Sequence, residues 1–181
     1  MKKIFLLLII LVCQSCAITG LTNDYSKLTP TQKTTIIPLD NFENLSQKNI
    51  YKITATQLKE ELAKHPKSLV YVFSNGCTSE LCKPMNIYEN YAKRNGYQLF
   101  LVMNGYGNLE ETLDQRDSFS SNLFSINNEY YPSRFRGVYT QYFENELTNK
   151  PMKEKAKEYE GSLFFFENGN LEKVLYELPE G

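Results

Sequence analysis

The hydrophobic and polar positions fall into alternating blocks from about residue 49 onward. Ile50-Tyr51-Lys52-Ile53 alternates and predicts a strand. Thr54 followed three positions later by Gln57 is a capping box, opening a helix with Leu58 and Leu62 on one face that stops at His65-Pro66. Ser68 to Phe73 is an unbroken apolar run, the pattern of a strand buried on both faces. Leu81, Met85, Tyr88 and Ala92 recur at helical spacing, and Asn95-Gly96 ends that helix. Tyr97 to Met103 is a second buried strand, and Asn108 with Glu111 predicts the cap of another helix. Leu163 to Phe166, the turn Glu167-Asn168-Gly169-Asn170, and Leu171 to Leu178 form a hairpin, because Asn-Gly supplies the positive φ angles of a two-residue turn. The order is β-α-β-α-β-α, a long segment, then β-β. Strands joined through helices run parallel, and the closing hairpin adds an antiparallel edge. The expected fold class is α/β: a central mixed sheet flanked by helices and ending in a β-hairpin.

Two regions lack this clarity. Residues 16–48 are rich in Thr, Asn, Ser, Gln and Pro, and are expected to form a tether with at most one short strand. Residues 117–160 hold an aromatic stretch around Tyr130–Tyr139, expected to fill the core, and a charged run from Lys153 to Glu158, expected as a solvent-facing helix.

At the N-terminus, Met1-Lys2-Lys3 precedes the apolar run Ile4 to Val12, too short for an ordinary spanning helix. Cys13-Gln14-Ser15-Cys16 follows. This resembles a bacterial lipoprotein leader, with Cys13 where Leu is usual. The resemblance implies a signal peptide over residues 1–15, cleavage before Cys16 and fatty acylation of the Cys16 thiol. Ala17 follows and no acidic cluster does, which by the same resemblance implies the periplasmic face of the outer membrane. The domain proper is then 49–181.

Composition narrows the functions. The chain has 181 residues, 41% of them hydrophobic, enough for a real core. Its 20 Lys+Arg against 21 Asp+Glu give no basic excess for a nucleic-acid partner. The single histidine, His65, with two free thiols falls short of the four ligands zinc wants, so no metal is expected. No phosphate loop, Ser-His-Asp order or dinucleotide fingerprint is present, so no cofactor is expected either.

The remaining chemistry is Cys77 and Cys82, which the leader's resemblance implies lie in an oxidising compartment where disulfides persist. Cys77 follows the first buried run through Ser74-Asn75-Gly76 and lies just before, or at the first turn of, a helix. A thiolate there gains from free N–H groups and the helix dipole. Lys83 would help and Glu80 oppose. Five residues of α-helix rise about 7.5 Å, whereas a disulfide wants Cα atoms within about 7 Å. So either Cys77 lies in the preceding loop, or the first turn unwinds when the bond forms.

Strand, loop, Cys, helix, strand, helix and terminal hairpin resemble the thioredoxin-like superfamily over about 49–178. Ser162 to Gly169 resembles the fourth strand and turn of thioredoxins, although the closing helix of that fold is missing. Gly76-Cys77-Thr78-Ser79-Glu80-Leu81-Cys82 resembles the Gly-Cys-Thr-x-Glu-Ala-Cys segment of atypical two-cysteine peroxiredoxins. That resemblance implies a peroxidatic Cys77, a resolving Cys82, and Ser74 orienting the peroxide. Two positions depart: Val70 stands where that family has Pro, and Gly161 stands near the family's Arg and at the cis-Pro of thioredoxins. Arg134 or Arg136 replaces the Arg only if the long segment folds back. The expected function is thiol–disulfide or peroxide chemistry through Cys77 and Cys82, with a protein thiol or disulfide as partner. The alternative is a non-catalytic binding module stapled by that pair.

Overall fold

A computed structural model describes residues 20–155, 158 and 160–179. Residues 1–15, expected as a signal peptide, and Cys16 lie outside the described residues. The strands are β1 (Ile36–Pro38), β2 (Ile50–Ile53), β3 (Lys67–Phe73), β4 (Gln98–Met103), β5 (Leu123–Ile126), β6 (Leu163–Glu167) and β7 (Asn170–Leu175). The helices are α1 (Pro30–Thr35), α2 (Ala55–Leu62), α3 (Met85–Asn95), α4 (Leu109–Leu113) and α5 (Arg136–Leu147). The protein is α/β, with one seven-stranded mixed sheet in the order β1-β2-β5-β4-β3-β6-β7. β1 through β5 pair in parallel, while β6 pairs antiparallel with β3 and β7 closes the edge.

The period of two along each strand divides the core. Leu69, Tyr71 and Phe73 of β3 join Leu99, Leu101 and Met103 of β4 on one face, under Met85, Tyr88 and Ala92 of α3. Val70 and Val72 join Phe100, Val102, Phe124 and Phe166 on the other, against Leu58 and Leu62 of α2 and Tyr139, Phe143 and Leu147 of α5. Each fully buried side chain of this size stabilises the fold by about 1.5–3 kcal/mol. The local signals read above operate as expected at several ends. Thr54 and Gln57 form a reciprocal capping box, Gly96 closes α3 at φ 71°, and Asn168 and Gly169 turn the hairpin at φ 49° and 78°.

The structure departs from expectation in four places. From residue 20 onward, the stretch read as a tether lies on the domain. A Thr29–Gln32 capping box starts α1, Leu28, Ile36 and Leu39 are buried, and β1 pairs with β2. The long segment supplies β5, in the middle of the sheet, and the twelve-residue α5. Asn108 precedes α4 but does not cap it: it stands at φ 54° with no side-chain hydrogen bond to the helix. The charged run is not helical over Lys153–Lys155 and is exposed; Ala156 and Lys157 lie outside the described residues. The physical cause is competition for carbonyls. Asn145 Nδ2 donates to the Met152 and Glu154 carbonyls at 2.9 and 2.8 Å, and Gln141 Nε2 to that of Glu154 at 3.0 Å. A helix there would need those acceptors. Among the described residues, no helix is long and apolar enough to cross a membrane.

Candidate functional site

The site begins where β3 ends. The chain leaves the sheet at Ser74 and does not become helical until Met85. Two anchors hold this loop from below. Asn75 is buried, donates from Nδ2 to the Gly105 carbonyl at 2.8 Å, and accepts at Oδ1 from Thr112 Oγ1 at 2.7 Å. Gly76 follows at φ 65°, and a Cβ there would meet Asn108 Nδ2 at 2.7 Å and Glu111 Oε1 at 2.8 Å. Glycine is needed both for the left-handed backbone and for this close approach. The Asn108 side chain, directed at Gly76, is thus packed beneath the cysteine loop rather than capping α4.

Cys77 and Cys82 are joined by a disulfide with their Cα atoms 6.0 Å apart. Both lie outside any helix in this disulfide-bonded form, as each of the two geometric options requires once the bond is made. A turn from the Cys82 amide to the Ser79 carbonyl at 2.9 Å brings the second cysteine back toward the first. Cys77 is exposed and Cys82 half-buried. Leu81, read as the first residue of the helical stripe, is instead 45% exposed in this loop.

In this oxidised form Cys77 does not stand at a helix N-terminus. Seven residues lie between Cys77 and Met85, where the helix begins. The first helical amide, that of Met85, donates to Gln115 Oε1 at 2.9 Å. The Lys83 ammonium donates to the Glu80 carbonyl at 2.6 Å, and the Lys83 amide to Tyr88 Oη at 3.2 Å. The polarity around the pair is set by loop hydrogen bonds, with α3 capped from across the fold.

The disulfide lines a cleft of about 750 Å³ together with Ser74, Arg136, Thr140 and Glu144, among others. On its other side is a smaller cleft of about 190 Å³, bounded by Gly76, Met85, Glu111 and Gln115. Ser74 Oγ donates to Asn104 Oδ1 at 3.1 Å. The long segment does fold back. Arg136, at the first position of α5, shares the cysteine cleft, whereas Arg134 points its guanidinium over the Phe135 ring at 5.3 Å. Gly161, near which the resemblance sought an Arg, sits at φ 129° with its Cα facing the Leu175 carbonyl so closely that no side chain fits. Next to it, Ser162 spends both backbone groups on the sheet, donating to Leu175 O at 3.1 Å and accepting from Val72 N at 2.9 Å.

Sequence reasoning missed Thr140, Glu144 and Gln115. Arg136, Thr140 and Glu144 are four residues apart, one stripe along α5, and the signal was readable only if 136–147 had been taken as a helix. Thr140 is buried, and its Oγ1 has no hydrogen-bond partner among the described residues. Burial, then the nearby Glu160 charge, pushes the Glu144 carboxyl up to about 8, and Lys150 only partly offsets this. A proton-carrying acid therefore lines the cysteine cleft near neutral pH. The lone histidine lies far from this chemistry, just past α2, with Nε2 3.0 Å from Glu61. Among the described residues, no three His, Cys, Asp or Glu side chains group to hold a metal ion. Comparison with protein-family models, with curated proteins and with solved structures finds no match to this chain.

Proposed function

We propose that this chain is a lipid-anchored, thioredoxin-like protein of the bacterial cell envelope that exchanges thiols and disulfides through Cys77 and Cys82. The observation that carries the reading is an exposed Cys77 in a disulfide at the C-terminal end of the central strand β3, opening on a cleft. Active sites in α/β sheets gather at that edge because loops there are held by a rigid scaffold. The succession β2-α2-β3-Cys-α3-β4-α4 and the closing β6–β7 hairpin fit the thioredoxin-like pattern, with β1, β5 and α5 as additions to it. Cys16 acylation supplies the anchor.

The chemistry is direct. An incoming thiolate attacks Cys77 Sγ, the reachable sulfur, and a mixed disulfide forms as the Cys77–Cys82 bond breaks. The bond's electron pair leaves on Cys82 Sγ, which takes a proton. A second thiolate displaces Cys77, giving a disulfide product and a dithiol protein. In the reverse direction, the reduced pair reduces a partner disulfide. The competing reading is a structural staple in a binding module. It is favoured by the firm anchoring of the loop through Asn75 and Thr112 and by the lack of a side chain at Gly161.

The deciding experiment measures the Cys77 thiol pKa in reduced protein and turnover of insulin disulfides or peroxide, with Cys77→Ser as control. Turnover abolished by Cys77→Ser, and a mixed disulfide trapped on Cys77 by Cys82→Ser, are expected. An alkaline pKa with no turnover leaves only the staple.

A further inference from the structure

Of the seven large apolar side chains exposed among the described residues, three lie in segments bonded to one another. Leu21 is 51% exposed, Tyr130 49% and Phe135 42%. Residues 20–23 and 128–136 are stitched into one surface: the Arg136 amide donates to the Leu21 carbonyl at 2.9 Å, and Asn23 Nδ2 donates to Asn128 Oδ1 at 2.8 Å. Arg134, exposed, and Arg136 stand in this surface, and neither forms an ion pair among the described residues. Gly20 presses against the Arg136 guanidinium, where a Cβ would meet Nη2 at 2.8 Å.

We infer that the patch of Leu21, Tyr130, Arg134 and Phe135 docks on the headgroup surface of the membrane in which Cys16 is anchored, with the cysteine cleft opening beside it. The inference rests on the reading of Cys16 as the acylated residue. Chain length is the decisive constraint. A tether over 16–48 would let the domain hang far from the lipid, but the chain is already packed on the domain at Gly20, four positions after Cys16. Four residues span at most about 14 Å, so Gly20 and the neighbours bonded to it cannot leave the interface. Apolar side chains suit the headgroup boundary, and unpaired arginines suit anionic lipid. Gly20 and Arg136 also line the cysteine cleft, so the thiols or disulfides it meets belong to partners at the membrane surface.

The chain has no tryptophan, so Phe135→Trp introduces a single fluorescent reporter. Leu21→Trp serves as a second, and Glu167→Trp, exposed beside Lys67 at the end of β3 away from the cysteine loop, as the control. The full-length protein, isolated from membranes, is reconstituted into vesicles of phosphatidylethanolamine and phosphatidylglycerol with brominated acyl chains. The expected result is a blue shift and loss of most emission at position 135 or 21, with no change at 167. An added Arg134→Glu should weaken that quenching. No quenching at 135 and 21, or equal quenching at 167, overturns the inference. The mass of the Cys16 peptide from the same sample separates the two readings. An acylated, unquenched protein keeps the anchor and removes the docking. An unacylated, quenched protein keeps the docking and removes the anchor. An unacylated, unquenched protein removes both.

Discussion

Glu89 and Glu144 are both carboxylates on helices that flank the sheet, and their surroundings drive them in opposite directions. Burial by itself raises Glu89, but Lys93 and the Ser121 and Ser120 groups that donate to it win, holding its pKa at about 2. Oε1 accepts from the Ser120 and Ser121 amides at 2.9 and 2.7 Å and from both hydroxyls, and Oε2 pairs with Lys93 at 2.9 Å. A depressed pKa gives stability that is present above the ordinary carboxylate value of about 4.3 and is lost as pH falls toward 2. Glu89→Gln should therefore destabilise the protein at neutral pH by roughly 2–3 kcal/mol and flatten its acid unfolding, as read by denaturant titration over that range. Glu144 has the reverse sign. Its folded pKa of about 8 makes the folded chain hold the proton more tightly, so its contribution is complete below about pH 4.3 and drains away as pH rises toward 8. Glu144→Gln, neutral at every pH, should gain thermal stability relative to the parent as pH increases through that window. Parallel melting curves for the two proteins would refute it.

At the scale of elements, the cysteine loop is a connection between β3 and α3 held by residues remote in sequence. Asn75, Gly76 and Gln115 fix its ends to the segment around α4, and neither cysteine belongs to a helix or strand. The disulfide closes a short loop, for which the entropic stabilisation is only about 2 kcal/mol. Reduction should thus lower the melting temperature by no more than about 8 °C and leave the far-ultraviolet circular dichroism unchanged. Global unfolding on reduction would show that the bond supports the whole fold and would favour the staple. The β6–β7 hairpin is fixed by contacts that the loop does not share. Gly161 lets the strand entering β6 approach the Leu175 carbonyl, and the Asn168 amide donates to the Pro66 carbonyl at 2.9 Å, tying the hairpin turn to the start of β3.

For the whole molecule, residues 20–48 are the most informative. Leu28, Ile36 and Leu39 are buried in the two cores, and at about 1.5–3 kcal/mol each they rival the 5–15 kcal/mol that separates a typical folded domain from its unfolded chain. Removing β1 would also leave β2 as a bare edge. A chain starting at Asn49 should fail to unfold cooperatively in calorimetry. A melting temperature within a few degrees of the parent would show that this segment is dispensable.

What the amino-acid order determined by itself was local. Continuous apolar runs specified β3 and β4, Asn-Gly specified the hairpin, and Thr-x-x-Gln specified the start of α2, because each signal is complete within a few neighbouring residues. That Cys77 and Cys82 could bond only outside an intact helix, through a loop or an unwound first turn, was legible from their spacing. Tertiary structure alone decided the rest. β5 is four residues long with a polar Ser125 in its middle, acceptable only because Tyr106 Oη stands 2.9 Å away. The charged run lost its helix because α5 side chains took its carbonyls. Arg136 and Glu144 reached the cysteine cleft, and Gly20 came to rest beside them, through contacts between residues more than fifty positions apart, whose free energy no local pattern records.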